Sequence, residues 1–198
     1  MVNRGGKSGG QVTKANGMIK ITDLKKELKN LDQKELIQLI VDLYKNNKEV
    51  KQFLSTKFNG EEAVEVLFQQ SKQKIKNEFF PDRGHGKLRL AEAKKAISEF
   101  KKLSDDEMNT VDLMLYYVEM GTDFTDSFGG IDQNFYNSMI SMYEKVVSAC
   151  ELDEIYYHAF EERLSRIVRI ADGIGWGYGD TIAELYFSVF YSREDEDE

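Results

Sequence analysis

Apolar residues return at steps of three and four from Ile19 to Phe190, with polar residues filling the positions between them. That period puts side chains on one face of an α-helix, not on alternate faces of a strand. The pattern predicts an all-α fold of eight or nine antiparallel helices, arranged as a stack of helical hairpins or an α-α superhelix. Thr22 opens a short helix through Leu28. Asp32 and Glu35 form a capping box for a second helix, whose Leu36, Ile37, Leu39, Ile40, Leu43 and Tyr44 make a wide apolar face; these two are expected to pack together. A third segment runs from Asn46-Asn47 to Phe58 with Val50, Phe53 and Leu54 inward, and Asn59 with Glu62 caps a long helix to about Asn77.

Further along, Leu90 to Leu103 is helical with Ala93, Ala96, Ile97 and Phe100 inward. Ser104 and Glu107 form a capping box for a helix that is apolar nearly all round (Val111, Leu113, Met114, Leu115, Tyr117, Val118), which makes it the expected centre of the fold. The turn-rich stretch from Met120 to Asn134 fails as a calcium loop. Either register of its glycines puts Phe124 or Thr125 where the first carboxylate ligand belongs, so Asp132 reads as an N-cap. The next helix carries the stripe Phe135, Met139, Met142, Tyr143 and Val146. Its partner, from about Leu152 to Ala171, buries Ile155, Tyr156, Phe160, Leu164, Ile167 and Val168. Arg163, Arg166 and Arg169 are expected to pair with acids such as Glu162 or Asp172, and Asp180 is expected to cap a last helix.

Two interruptions carry the candidate chemistry. Asp172–Asp180 holds four of the fifteen glycines, the only tryptophan and two acids. Its glycines permit a sharp joint, and Trp176 and Tyr178 are large surfaces that either plug the core or meet a partner. The other interruption follows Phe79-Phe80 and contains the only proline. Arg83, His85, Lys87 and Arg89 alternate along it, so an extended chain presents all four on one side, suited to a phosphate, a carboxylate or nucleic acid; the alternative is a plain interhelical loop. The candidate partner- or ligand-binding residues are therefore Arg83, His85, Lys87, Arg89, Asp172, Trp176, Tyr178 and Asp180. Both loops are expected to emerge on one side and share a pocket containing Arg83, His85, Arg89, Asp172, Trp176 and Asp180. Internal pairing there makes a structural clasp, and open charges make a binding site.

Charge and composition sharpen this picture. The net charge of −8 conceals an asymmetry: residues 1–102 carry 22 Lys/Arg against 13 Asp/Glu, and residues 103–198 carry 5 against 22. The halves either attract each other or offer a basic surface to an anionic partner and an acidic one to a basic partner. Residues 1–17 read as a flexible leader or cloning remnant, 18–192 as a single helical domain and 193–198 as an acidic disordered tail. Gly6-Lys7-Ser8 is no phosphate loop, because the required earlier glycine falls on Met1. One cysteine, Cys150, forms no internal disulfide, and with only His85 and His158 it makes no ordinary zinc site, so no metal or cofactor is expected. With no signal-like segment and no long apolar run, neither secretion nor a membrane is indicated, and the expected location is the cytoplasm.

The runs Ile-Thr-Asp-Leu-Lys-Lys-Glu-Leu, Glu-Phe-Phe-Pro-Asp-Arg-Gly-His-Gly-Lys-Leu-Arg-Leu and Gly-Ile-Gly-Trp-Gly-Tyr-Gly-Asp resemble a bacterial family of small all-helical proteins, a domain of unknown function, over roughly residues 18–191. The resemblance implies the helical fold and makes the basic loop and the glycine-tryptophan joint its shared hallmarks, and it carries no activity. Three function classes follow, in order. The first is a non-enzymatic protein-protein interaction or scaffold module of helical-repeat type. The second is binding of nucleic acid or another anion through the basic half. The third is an enzyme with a site at Arg83/His85 and Asp172/Asp180; no zinc-protease motif, nucleophile elbow or phosphate loop supports it.

Overall fold

The computed structural model describes residues 17–194, with side chains through Phe190. The expected leader apart from Gly17, and the last four residues of the acidic tail, lie outside the described residues. Among the described residues there are nine α-helices and no strand. They are α1 (Ile21–Lys29), α2 (Gln33–Asn46), α3 (Lys48–Asn59), α4 (Glu61–Phe79), α5 (Leu90–Ser104), α6 (Glu107–Phe128), α7 (Gln133–Leu152), α8 (Glu154–Ala171) and α9 (Tyr178–Glu194). The all-α expectation holds. The chain groups into two units, one through Lys51 and one from Gln52 onward.

In the first unit, the Asp32–Glu35 capping box is fully formed, with both backbone-to-carboxylate bonds at 2.8 Å. Leu31 and Leu36, one residue before the cap and four after it, are half-buried in the positions of a hydrophobic staple. Neither α1 nor α2 has a buried residue, and they do not pack extensively on each other as expected. The wide apolar face of α2 is open. Thr22 is not a cap either, since α1 begins at Ile21 after Lys20.

The second unit is a helical bundle around α6, which packs on α4, α5, α7 and α8, while α9 covers α7 and α8. Leu113, Leu115, Tyr117 and Val118 of α6 are completely buried, which is why this helix, apolar nearly all round, takes the centre. Consecutive helices from α4 to α9 pack pairwise through short links and so run antiparallel. The buried polar groups of α6 all have partners. Glu119 accepts from Arg163 Nε and Nη2 at 2.8 and 2.7 Å, Arg163 Nη1 reaches Asp112 at 2.8 Å, and Arg166 Nη2 reaches Asp123 at 2.8 Å. Arg163 and Arg166 therefore clamp α8 to α6 instead of pairing with Glu162 or Asp172, while Arg169 Nη1 donates to Ser165 Oγ of its own helix at 2.9 Å. Their three-residue spacing turns Arg163 and Arg166 toward the neighbouring helix.

Several expected boundaries shift. The cap of α6 is Asp106, accepting from the Asn109 N–H at 3.0 Å, because Asp105 takes a left-handed φ of 56° and leaves Ser104 in α5. Gly60, with φ 60° and no side-chain cap, precedes α4 where Asn59 was expected. Asp132 caps α7 as expected, accepting from the Phe135 N–H at 2.8 Å. Ile155 is exposed, not buried, because it lies in the first turn of α8, beyond the reach of the core.

Candidate functional site

Because α4, α6 and α8 run one way and α5, α7 and α9 the other, the links 80–89, 129–132 and 172–177 all emerge at one end of the second unit. The first is built on aromatics. Phe79 is buried edge-on against Tyr117 at 5.7 Å, and Phe80 lies across Phe124 and Phe128 at 5.7 and 6.2 Å. The chain then doubles back, with the Leu88 N–H donating to the Glu78 carbonyl at 2.9 Å. Gly86 sits so close to the Phe79 carbonyl that a Cβ there would strike its oxygen. Arg83, His85, Lys87 and Arg89 are exposed and Gly86 and Leu88 half-buried, but the stretch is not the extended chain expected, because Leu88 takes a left-handed φ of 50° and its carbonyl accepts from the Leu90 N–H at 2.9 Å.

Arg89 differs from the other three. Its Nε and Nη2 bond both oxygens of the buried Glu78 carboxylate at 3.0 and 2.7 Å. The Arg89 hydrogen bonds hold the Glu78 carboxyl below its usual range. Arg89 is therefore a brace that closes the loop onto α4, and Arg83, His85 and Lys87 form the outward basic group.

The second loop turns through Gly173 (φ 78°), Trp176 (φ 63°) and Gly177 (φ 69°). Gly179 packs on the Ala171 carbonyl too closely for a Cβ, which fixes the start of α9 against the end of α8. The helix begins at Tyr178, so Asp180 lies inside its first turn and is not the cap expected for it. Tyr178 is completely buried with its hydroxyl 2.6 Å from Thr122 Oγ1, which removes it from any surface. Burial pushes its phenol above the ordinary range.

Trp176 behaves oppositely, being 56% exposed in a backbone conformation that disfavours any side chain. Its Nε1 lies 3.7 Å from where a Cβ on Gly130 would stand. Two residues before Gly130 is Phe128, 66% exposed, its ring 4.8 Å from Phe124. An aromatic run of Phe80, Phe124 and Phe128 thus ends just before Gly129-Gly130, and Trp176 approaches Gly130 from the second loop. Phe128 and Gly130 did not figure among the sequence candidates. Their signal is the Phe124–Phe128 step of four ending in a Gly-Gly pair.

Two separate depressions hold some of the charged candidates. Asp172 and Asp180 line a depression of about 500 Å³ together with Arg169. Glu78 and Arg89 line another with Lys74, Glu92, Lys95 and Glu99. Neither depression is lined by His85, so no acid-base pair with Asp172 or Asp180 is formed there. Among the described residues no group of three or more His, Cys, Asp or Glu is placed to hold a metal ion. Residues 18–177 match the model of DUF6155, a family of unknown function, a range that includes the basic loop, Phe128 and Trp176. No curated protein and no solved structure matches the chain.

Proposed function

The chain belongs to DUF6155, a family of unknown function, and on that premise we propose that it is a non-enzymatic protein-binding module whose contact surface is the loop end of the α4–α9 bundle. The observation that carries this reading is Trp176, held 56% exposed at positive φ with its Nε1 close to Gly130, two residues after the exposed Phe128. With more than half of Trp176 exposed, its packing offsets little of the roughly 1–2 kcal/mol that a left-handed residue other than glycine costs. Exposed aromatics surrounded by polar groups are the usual anatomy of an interface centre. Arg83, His85 and Lys87 supply a basic rim on one side, and Asp172 and Asp180 supply an acidic one on the other. The proposed location is the cytoplasm; among the described residues no helix is long and apolar enough to cross a membrane.

The test is affinity capture from the source cell with the wild-type chain, Trp176→Gly and Arg83→Ala in parallel. A partner retained by the wild type and lost from both variants supports the reading, and equal retention by all three ends it. A second reading, nucleic-acid or other anion binding through the basic half, rests on ten Lys/Arg against four acids from Lys72 to Lys102. It requires tight, salt-sensitive binding of RNA or DNA, and its absence at about 50 mM salt removes it. Catalysis by Arg83/His85 with Asp172/Asp180 stands third, because neither Arg83 nor His85 lines the depression that holds Asp172 and Asp180.

A further inference from the structure

The first unit leaves a surface that the proposed contact end does not use. Ile37, Leu39, Ile40, Val41, Leu43 and Tyr44 of α2 are between 36% and 55% exposed. At 3.6 residues per turn they span an arc of roughly 200°, wider than one neighbouring helix covers. Neither α1, at 9 residues, nor α2, at 14, has a buried residue. Isolated helices shorter than about 12–15 residues are marginal in water, so the two need a cover to persist.

We infer that the α1–α2 face is a self-association surface, covered by the same face of a second copy of this chain across a two-fold axis. Area argues for this occupant. With Ile21 and Leu24 of α1, the exposed side chains offer roughly 700 Å² of largely apolar surface, close to the about 800 Å² that each partner buries in a standard interface. Charge agrees with it. Residues 17–51 carry eight lysines and six acids, so the net charge is small and two copies of this face meet without strong repulsion. Elsewhere in the described chain the large exposed apolar side chains, such as Phe128, Leu152 with Ile155, and Phe187, come one or two at a time and make no stripe of this width. An isologous arrangement needs only one patch, and this face supplies it.

Sedimentation equilibrium of the full chain at micromolar concentration reads the outcome directly. The wild type is expected at twice the chain mass, and Ile40→Glu is expected to raise the dissociation constant about a hundredfold or more, through a desolvated charge at the centre of the face. The unfolding temperature of the α4–α9 bundle is expected to stay unchanged. Cys150 is buried, so Ile40→Cys introduces the accessible thiol, and oxidation is expected to yield a covalent dimer. A monomeric wild type overturns the inference, as does a dimer indifferent to Ile40→Glu. A monomer that Ile40→Glu destabilises overturns it too, because the face is then covered within its own chain.

Discussion

Tyr178 Oη lies 2.6 Å from Thr122 Oγ1 across 56 residues of sequence, and the direction of that bond is fixed. Thr122 spends its hydroxyl proton on the Val118 carbonyl at 2.8 Å, so Tyr178 donates and Thr122 accepts. Tyr136 stands in the same relation to Thr125, whose hydroxyl donates to the Gly129 carbonyl. The two ends of the bond are therefore unequal. Tyr178→Phe leaves Thr122 bonded to Val118 and is expected to cost about 1 kcal/mol, whereas Thr122→Val strands a buried phenol and is expected to cost about 2–3 kcal/mol including lost packing. Urea unfolding of both variants measures the difference.

Three glycines are close-contact points, and the neighbour decides the penalty. A Cβ at Gly86 or Gly179 strikes a carbonyl oxygen, of Phe79 and Ala171 respectively, and at Gly121 it strikes the Met139 sulfur. Backbone cannot step aside and a methionine can, so Gly86→Ala and Gly179→Ala are expected to destabilise by about 3 kcal/mol. Gly121→Ala is expected within about 1 kcal/mol of neutral, since helix propensity offsets part of the crowding. Thermal unfolding separates the two classes.

Trp176 separates stability from binding. Replacing it with glycine relieves the left-handed strain, so Trp176→Gly is expected to unfold within about 1 kcal/mol of the wild type or above it. Trp176→Ala keeps the strain and is expected to be the less stable of the two. Both are expected to weaken the partner by about thirtyfold or more, the loss of an aromatic anchor. A glycine variant that unfolds readily would make Trp176 part of the scaffold.

Stability is expected to fall at both ends of the pH scale, for different groups. The Glu78 carboxyl is held below its ordinary range by Arg89, so the folded state binds its proton less readily than the unfolded chain does. Its contribution is complete above the unfolded value, near pH 4–5, and is lost as the pH falls through the lower folded value. Glu78→Gln is expected to flatten that acid limb. Burial pushes Tyr117 up to about 12. The stability linked to it is complete below about pH 10 and is lost as the pH rises toward the folded value. Denaturant titrations across pH, with tyrosinate absorbance followed at the alkaline end, resolve the two limbs.

Local signals were legible and distant ones were not. The capping box at Asp32–Glu35 and the cap at Asp132 could be read because their partners lie three residues away. At Ser104-Asp105-Asp106 three capping residues stand in a row, and only the left-handed turn at Asp105 selects the last. The Arg163–Glu119 clamp joins residues 44 apart, which no local pattern marks. The α2 stripe told of an apolar face without telling what covers it. At the loop end, sequence picked out Trp176 and the basic run, but treated Trp176 and Tyr178 as one kind of residue. The positive φ of Gly177 stands between them, and one is exposed while the other is buried.

The seating of Met139 against Gly121 also governs how this protein ages in air. Met139 is completely buried, with its sulfur packed against Gly121, so the thioether is out of reach of oxidant in the folded bundle. Oxidant reaches that thioether only after α6 and α7 part, whereas Met18, 80% exposed, reacts from the folded state. Peptide mapping after mild peroxide treatment therefore reads as a clock of opening: Met18 converts first, and Met139 sulfoxide accumulates at the rate at which the bundle comes apart.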